Sequence, residues 1–405
     1  MAIVNKGYRF VLELSAAQAK TLAAWAPTLR FLYNWMLAQR RDAYKASEGR
    51  MRIGYHEQAS QLIPMKAMFP WLADLPSQPL QQTLMDLDAA FQNFFAGRAE
   101  YPAFKSKQRG DPGIRWPQGV AVNGRAVWLP KLGWVKARFS RKIEGTIKSA
   151  TVRYDGMHWF VSILCEVELA AVVAPSPAVV GIDVGVQESL ALSDGRLLRL
   201  PVATPTEERR HQLLARRVSR CVPGSRRHSK AKRRLLVFRR HIGHRVQDTR
   251  HKLTTDLAKN HGLIVVEALA LKSLTCSARG TVADPGKNVA AKSGLNRSLL
   301  AQGHAETVRQ LGYKLGWLGG ELRKVNPAYT SQTCPACGHV SAENRPSRAV
   351  FCCVQCHHTG HADLVAAHNI LAAGLAASAR GAPTCRGVES GTTLKVKRLP
   401  RRRAA

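Results

Sequence analysis

The chain has 405 residues, 45% of them hydrophobic, with 61 Lys or Arg against 27 Asp or Glu and a formal net charge of +34. That length leaves room for roughly two to four packed domains, and the charge excess points to a polyanionic partner, nucleic acid before an anionic membrane surface. No apolar run approaches the ~20 residues of a membrane span, and "MAIVNKGYRFVLEL" lacks the apolar core of a signal peptide, so the cytoplasm, beside the nucleoid, is the expected compartment.

Residues 1–14 alternate well enough for a strand. Ser15 to Gln18 is a capping-box pattern that opens a helix. Leu22, Trp25, Leu29, Leu32, Tyr33 and Met36 keep helical spacing through residue 45, with Pro27 expected to kink or split the helix. Ser77 opens a second helix whose apolar face is Leu80, Leu84, Leu87, Phe91 and Phe94. Residues 15–100 therefore read as a helical module.

The basic, Pro- and Gly-broken stretch from Tyr101 to Gly119 reads as a loop. Residues 120–170 read as strands, with hairpin turns at Asn123-Gly124 and Asp155-Gly156. "APSPA", at 174–178, has linker composition. From Val179 the pattern is three strands, then a helix opened by the capping box Thr204 to Glu207, with Pro205 at the first helical position.

Between Arg209 and Lys252 the sequence carries 16 Lys or Arg and a single acid, Asp248. A solvated helix face mixes signs. A one-signed helix pair is better read as gripping phosphates, through Arg226, Arg227, Lys230, Lys232, Arg233, Arg234, Arg239 and Arg240. A buried strand ending at Glu267 follows. Residues 275–295 are Gly-rich and read as mobile. One helix is expected over 297–317, then a short strand, "ELRKVNP", and a last helix from Asp363. The tail, 381–405, is basic and reads as disordered.

Nine cysteines are present, five of them between Cys334 and Cys356. Clustering of this kind favours metal over disulfides in a cytosolic chain. Cys334 and Cys337 form one Cys-x-x-Cys pair, Cys353 and Cys356 a second, and this arrangement matches a zinc ribbon with four thiolate ligands. Cys352 is the spare of the adjacent pair, because Cys353 gives the regular spacing. His339, His357 and His358 read as surface residues.

Three acids stand out by their placement. Asp183 interrupts the apolar run "VVGIDVGV", where an unpaired carboxylate is costly. Glu267 ends a buried strand, and Asp363 opens the last helix. Taken singly, each is commonly a turn or capping residue. Taken together, their order fits an RNase H-type fold, in which two strands and a helix bring three carboxylates to one place. Such a trio repels itself unless it holds cations, and two Mg2+ ions about 3.5–4 Å apart would make it a phosphodiester-cleaving site.

The chain resembles the TnpB family, the RNA-guided DNA endonucleases of insertion sequences, which are related to type V CRISPR effectors. The resemblance rests on "FLYNW" (31–35), "LDAAFQNFF" (87–95), "FKSK" (104–107), "GIDVGV" (181–186), "IVVEAL" (264–269), "GLNRSLLAQG" (294–303), "PAYTSQTCPACGH" (327–339) and "GHADLVAAHNIL" (360–371). It implies a multidomain α/β chain: an RNase H-like (RuvC) nuclease domain with a zinc-ribbon insert, and a β-barrel wedge domain with an inserted helical recognition module. The boundaries that follow are 1–14 and 111–175 for the wedge, 15–110 for the recognition module, 176–330 and 361–380 for the nuclease, 331–360 for the ribbon, and 381–405 for the tail.

The resemblance further implies catalytic Asp183, Glu267 and Asp363 holding two Mg2+, and a structural Zn2+ on the four cysteines. Guide RNA and target DNA are the implied partners, one protein copy per RNA, with no membrane role. Lys105 and Lys107 join the candidate nucleic-acid contacts. Two departures from the family pattern stand close to the acids: Ala268 follows Glu267 where the family carries Asp, and Val365 replaces an Asn two residues after Asp363. A cut-and-paste transposase, a cleavage-silent guided regulator and a stand-alone CRISPR effector are the rival readings.

Overall fold

A computed structural model describes residues 2–106, 113–169, 176–281 and 284–379. Lys107 and the basic tail lie outside the described residues. The chain divides into two compact units at residues 170/171.

In the first unit, β1 (Ala2–Glu13) leads into α1 (Ala16–Ala46), α2 (Tyr55–Ser60), α3 (Leu62–Met68) and α4 (Ser77–Phe95). The chain then returns as β2 (Ile114–Trp116), β3 (Ala121–Asn123), β4 (Ala126–Leu129), β5 (Gly133–Ala137), β6 (Thr146–Tyr154) and β7 (Trp159–Leu169). The strands form one antiparallel sheet in the order β2-β6-β7-β1-β5-β4-β3. Alternate residues of β1, Tyr8, Phe10 and Leu12, are buried in a core shared with Leu29, Leu32 and Met36 of α1 and with Leu80, Leu84 and Leu87 of α4. This is the period-2 and period-3.6 burial that the sequence pattern demands.

Ser15 caps α1 through the capping box with Gln18. Pro27, expected to break this helix, lies inside one continuous helix of 31 residues. Its missing N–H costs one backbone bond, and the buried side chains of Trp25, Ala26 and Leu29 on that turn hold the helix together. The stretch expected to be a loop contains β2, whose Ile114 and Trp116 are fully buried and which pairs with β6. Three residues between Pro and Gly are too few for an alternation signal.

The second unit begins with β8 (Val179–Asp183), β9 (Leu190–Leu192) and β10 (Leu197–Leu198), followed by α5 (Pro205–Ser219), α6 (Arg226–Asn260) and β11 (Leu263–Glu267). Then come α7 (Leu271–Leu274), α8 (Val289–Gln302), α9 (His304–Trp317), β12 (Glu321–Val325), β13 (Val350–Cys352), β14 (Thr359–His361) and α10 (Ala362–Ala379). Five strands make a mixed sheet in the order β10-β9-β8-β11-β12, with β8, β11 and β12 parallel and β9 and β10 antiparallel. The two central parallel strands, β8 and β11, are apolar up to their terminal acids, as strands covered on both faces must be, whereas the edge strand β12 carries Glu321, Arg323 and Lys324.

The helix expected over 297–317 is two helices, and α8 starts at Val289, inside the stretch expected to be mobile. The break is at Gly303, with φ +61°. Arg250 Nη2 donates to the Gln302 carbonyl at 3.0 Å, where a side chain on Gly303 would strike it. Among the described residues no helix is long and apolar enough to cross a membrane.

Candidate active site and metal centre

Asp183 and Glu267 end neighbouring parallel strands. The register pairs Ile182 with Val266, so each acid stands one residue past the last paired position, at the carboxyl edge of the sheet. Helix α10 crosses these strands closely because two glycines let it. A Cβ on Gly181 would lie 2.2 Å from the Ala367 carbonyl oxygen, and one on Gly374 would lie 2.5 Å from Val265 Cγ1. That docking carries Asp363, in the first turn of α10, to the same edge.

The three acids feel one another. Burial pushes the Asp183 carboxyl up to about 7, and the charges of Glu267 and Asp363 add to the rise. Arg345 and a backbone N–H at Val184 oppose it. Burial likewise raises Glu267 above its ordinary range, opposed by the Thr330 hydroxyl, which donates to Glu267 Oε1 at 2.5 Å. Arg345 donates from Nη2 to Asp363 Oδ1 at 3.0 Å. Asn369 Nδ2, one face of α10 further on, donates to the carbonyls of Thr330 and Thr333 at 2.8 and 2.7 Å. Thr330, Arg345 and Asn369 thus position the acids. The sequence gives no local sign of this, since their partners lie between 18 and 63 residues away.

Both departures from the family pattern sit in structural roles. Ala268 gives its N–H to the Val325 carbonyl at 2.8 Å, which needs no side chain. Val365 is buried with Cys334, Phe351, Cys353 and Ala362, so it joins α10 to the core of the cysteine ribbon.

The ribbon brings together the four cysteines singled out by spacing. The Sγ atoms of Cys334, Cys337, Cys353 and Cys356 all lie within 4.8 Å of one another. Cys334 faces Cys356, and Cys337 faces Cys353, each pair with 3.6 Å between sulfurs. Four thiolates around a zinc ion at about 2.3 Å would stand about 3.8 Å apart, so the donor set fits that ion. Each Cys-x-x-Cys segment forms a knuckle of the same kind. Cys334 N–H donates to the His339 carbonyl and Cys353 N–H to the His358 carbonyl, both at 2.9 Å. The residue after each second cysteine, Gly338 or His357, has positive φ.

Buried Asn344 ties the knuckles together, donating to the Gln332 and His339 carbonyls and accepting from Val354 N–H. Cys352 is half-buried on β13, outside the cluster. Among the described residues this is the one group of three or more potential ligands so tightly gathered, and the three carboxylates are spread wider.

The basic stretch folds as the antiparallel pair α5 and α6. No residue of α5 is buried, and the N-terminal half of α6 buries only Ala231. Its base is pinned by Arg245, whose guanidinium clamps Glu207 through two bonds of 2.9 and 2.8 Å. Arg226, Arg227, Lys230, Lys232, Arg233, Arg234 and Arg239 are exposed, and Arg240 is half-buried. Arg239 also donates to His211 at 2.7 Å. Lys105, in the first unit, is half-buried, with Nζ 3.7 Å from the centre of the Tyr33 ring, and Asn34 holds its backbone by two hydrogen bonds. Burial lowers its pKa.

A mixed α/β chain with a four-thiol ribbon ahead of its last helix is the class these features define. Its fold is similar to that of the protein in "Cryo-EM structure of the Cas12f1-sgRNA-target DNA complex", with a TM-score of 0.58 and 14% identity over 91% of this chain and 98% of that one. Three family models match: "Helix-turn-helix domain" over residues 1–49, "Probable transposase" over 162–278, and "Cas12f1-like, TNB domain" over 304–370. The chain is 41% identical to "Putative RNA-guided DNA endonuclease InsQ" of Escherichia coli (strain K12), covering 96% of each. It is 30% identical to "Putative RNA-guided DNA endonuclease" of Streptomyces pristinaespiralis, covering 94% of this chain and 92% of that one. The chain belongs to the TnpB family of insertion-sequence RNA-guided DNA endonucleases.

Proposed function

We propose that this chain cleaves DNA next to a short duplex motif, directed by a guide RNA, with Asp183, Glu267 and Asp363 as its catalytic acids and Mg2+ as its cofactor. The observation that carries the reading is the trio itself: two acids at the ends of adjacent parallel strands and a third on the helix docked across them, with mutual repulsion felt at Asp183. The sheet order, three antiparallel strands followed outward from the first by two parallel ones, supports an RNase H-like, RuvC-type domain. We read the seven-stranded sheet as the wedge barrel, the α1–α4 insertion as the recognition module, and the ribbon as a structural Zn2+ site.

Two divalent cations, when bound, supply the Lewis acidity for in-line attack of water on a phosphodiester. The protein's part is to hold three carboxylates fixed at one sheet edge, where bound cations would favour their ionised forms. Thr330 occupies one oxygen of Glu267 and leaves the other free. Arg345 and the α10 docking fix Asp363. Pairing to the guide would read sequence, while the basic hairpin and Lys105 would meet backbone phosphates. All three acids are present and Val365 packs into the ribbon core, which favours retained cleavage over a silent regulator.

The test is Asp183→Ala in the full chain purified with its RNA. Mg2+-dependent cleavage of cognate DNA should disappear while guided binding persists. Cleavage near the wild-type rate would refute the assignment of the acids.

A further inference from the structure

The helical module of the first unit contains an apolar cavity of about 480 Å3, a size typical of small-ligand sites. Phe91, Phe94, Phe95 and Tyr101 wall it, with Tyr44 at its rim. The rings meet edge-on: Tyr101 lies 5.6 Å from Phe91 at 88° and 5.4 Å from Phe94 at 83°. Phe95 is 66% exposed, Tyr44 51% and Tyr101 46%. So much aromatic surface held open to water marks a recognition site.

A second, independent feature lies in the same wall. Arg40 is only 7% exposed, yet it lines the cavity. Its Nε donates to Gln58 and its Nη1 to Asp88, while Nη2 is buried without a hydrogen-bond partner. A buried guanidinium donor left unpaired is costly, and an acceptor brought by a ligand would relieve that cost. Asp88 beside it is an acceptor, and Arg52 lies over the Phe95 ring, 5.7 Å from its centre, so the mouth is cationic.

We infer that this cavity receives one unstacked nucleobase of the guide RNA. The inference rests on the RNA-guided reading above. An aromatic-walled slot with a cationic mouth and a convergent donor and acceptor fits a flat, polar-edged group attached to a phosphate chain. RNA supplies such groups readily, because its loops and single strands splay bases onto aromatic side chains, whereas duplex DNA keeps its bases stacked. Guanine fits best, since the one unpaired donor, Arg40 Nη2, needs an acceptor and the guanine edge offers two, O6 and N7, while adenine sets an amino donor beside N7.

The experiment compares full-length protein binding to three fluorescently labelled single-stranded RNAs: a uridine dodecamer, and the same strand with one central guanosine or one central adenosine. The guanosine strand should bind about five- to hundred-fold more tightly than the uridine strand, the span expected for one base on an aromatic platform. Phe95→Ala, at an exposed position that leaves the core intact, should bring the two strands to within about twofold. Phe95→Tyr should restore the difference. Equal binding of all three strands to the wild type, or an advantage that survives Phe95→Ala, would overturn the inference while leaving RNA binding itself standing. An equal or larger advantage for one dG in a DNA strand would overturn the assignment to RNA. If no strand bound at all, at low salt, the RNA-guided reading would fall and take this inference with it.

Discussion

Arg345 reaches from the ribbon to Asp363, with Nη2 3.0 Å from Oδ1, and its charge also works against the raised pKa of Asp183. The metal-free acid site is therefore a partly compensated cluster, and its cost depends on pH. Asp183 has its pKa raised from 3.8 to about 7 by burial first, then by Glu267 and Asp363. Between those values the folded chain holds a proton that the unfolded chain has lost. Stability then falls as pH rises from about 4 to about 7 and levels off above.

In chelator, the second unit should melt at a lower temperature at pH 7.5 than at pH 5, and Mg2+ should restore it. Asp183→Asn should flatten this dependence. Arg345→Met should extend the loss to higher pH, because the cationic charge that lowers Asp183 is gone. A melting temperature of Asp183→Asn that tracks the wild type across this range would refute the account.

Gly181 and Gly243 make a paired test of why α10 docks where it does. A methyl group on Gly181 would sit 2.2 Å from the Ala367 carbonyl and 2.8 Å from Leu371 Cβ. Gly181→Ala should destabilise by about 1–3 kcal/mol and weaken cleavage as well, since Asp363 rides on α10. Gly243, inside α6, has nothing within 4 Å of its Cβ position. Gly243→Ala should stabilise by up to about 1 kcal/mol, the helix-propensity gain. Chemical denaturation of both variants measures the contrast, and equal effects would contradict the close-docking argument.

What the sequence discloses follows from the range of the interactions. The Ser15 and Thr204 caps and the two Cys-x-x-Cys knuckles are local, and each is in place. Asp183 was conspicuous because a carboxylate among β-branched residues breaks a local rule. Thr330, Arg345 and Asn369 break none, so their roles emerge only when distant elements meet. The Gly303 break escaped because apolar spacing runs on through it, and the cause, Arg250, lies on another helix. The Arg40 cavity is likewise a product of α1 meeting α4.

The ribbon should hold one zinc ion, and its cysteines should differ in importance. Cys353 is fully buried in the ribbon core beside Phe351 and Val365, whereas Cys352 lies outside the four-sulfur cluster. Cys353→Ser should lower the zinc content measured by elemental analysis and destabilise the ribbon, because metal binding and local folding are coupled. Cys352→Ser should keep its zinc. The reverse order would exchange their roles, and zinc-free wild-type protein would remove the metal from the ribbon altogether.

The last prediction concerns the α5–α6 hairpin. Arg227, Lys230, Arg233 and Arg234 are exposed on its outer part, and three of them line a groove of about 970 Å3 between the helices. The clamp of Arg245 on Glu207 fixes the base and is untouched by changes at these four positions. Replacing all four with Ala should preserve helix content by circular dichroism, because Ala is the best helix former. Each phosphate contact releases counterions on binding, so the log–log salt slope of nucleic-acid affinity should become shallower by about 3 in the quadruple variant. Preference between target sequences should stay nearly unchanged, since phosphate contacts position without reading bases. Arg245→Ala is the contrasting case: it removes a single cation but unpins the hairpin, so binding should fall by more than its share of the slope. An unchanged slope in the quadruple variant would mean that these side chains face only solvent. A loss confined to one target sequence would mean that they read bases, and the hairpin would then be a specificity element and not a phosphate grip.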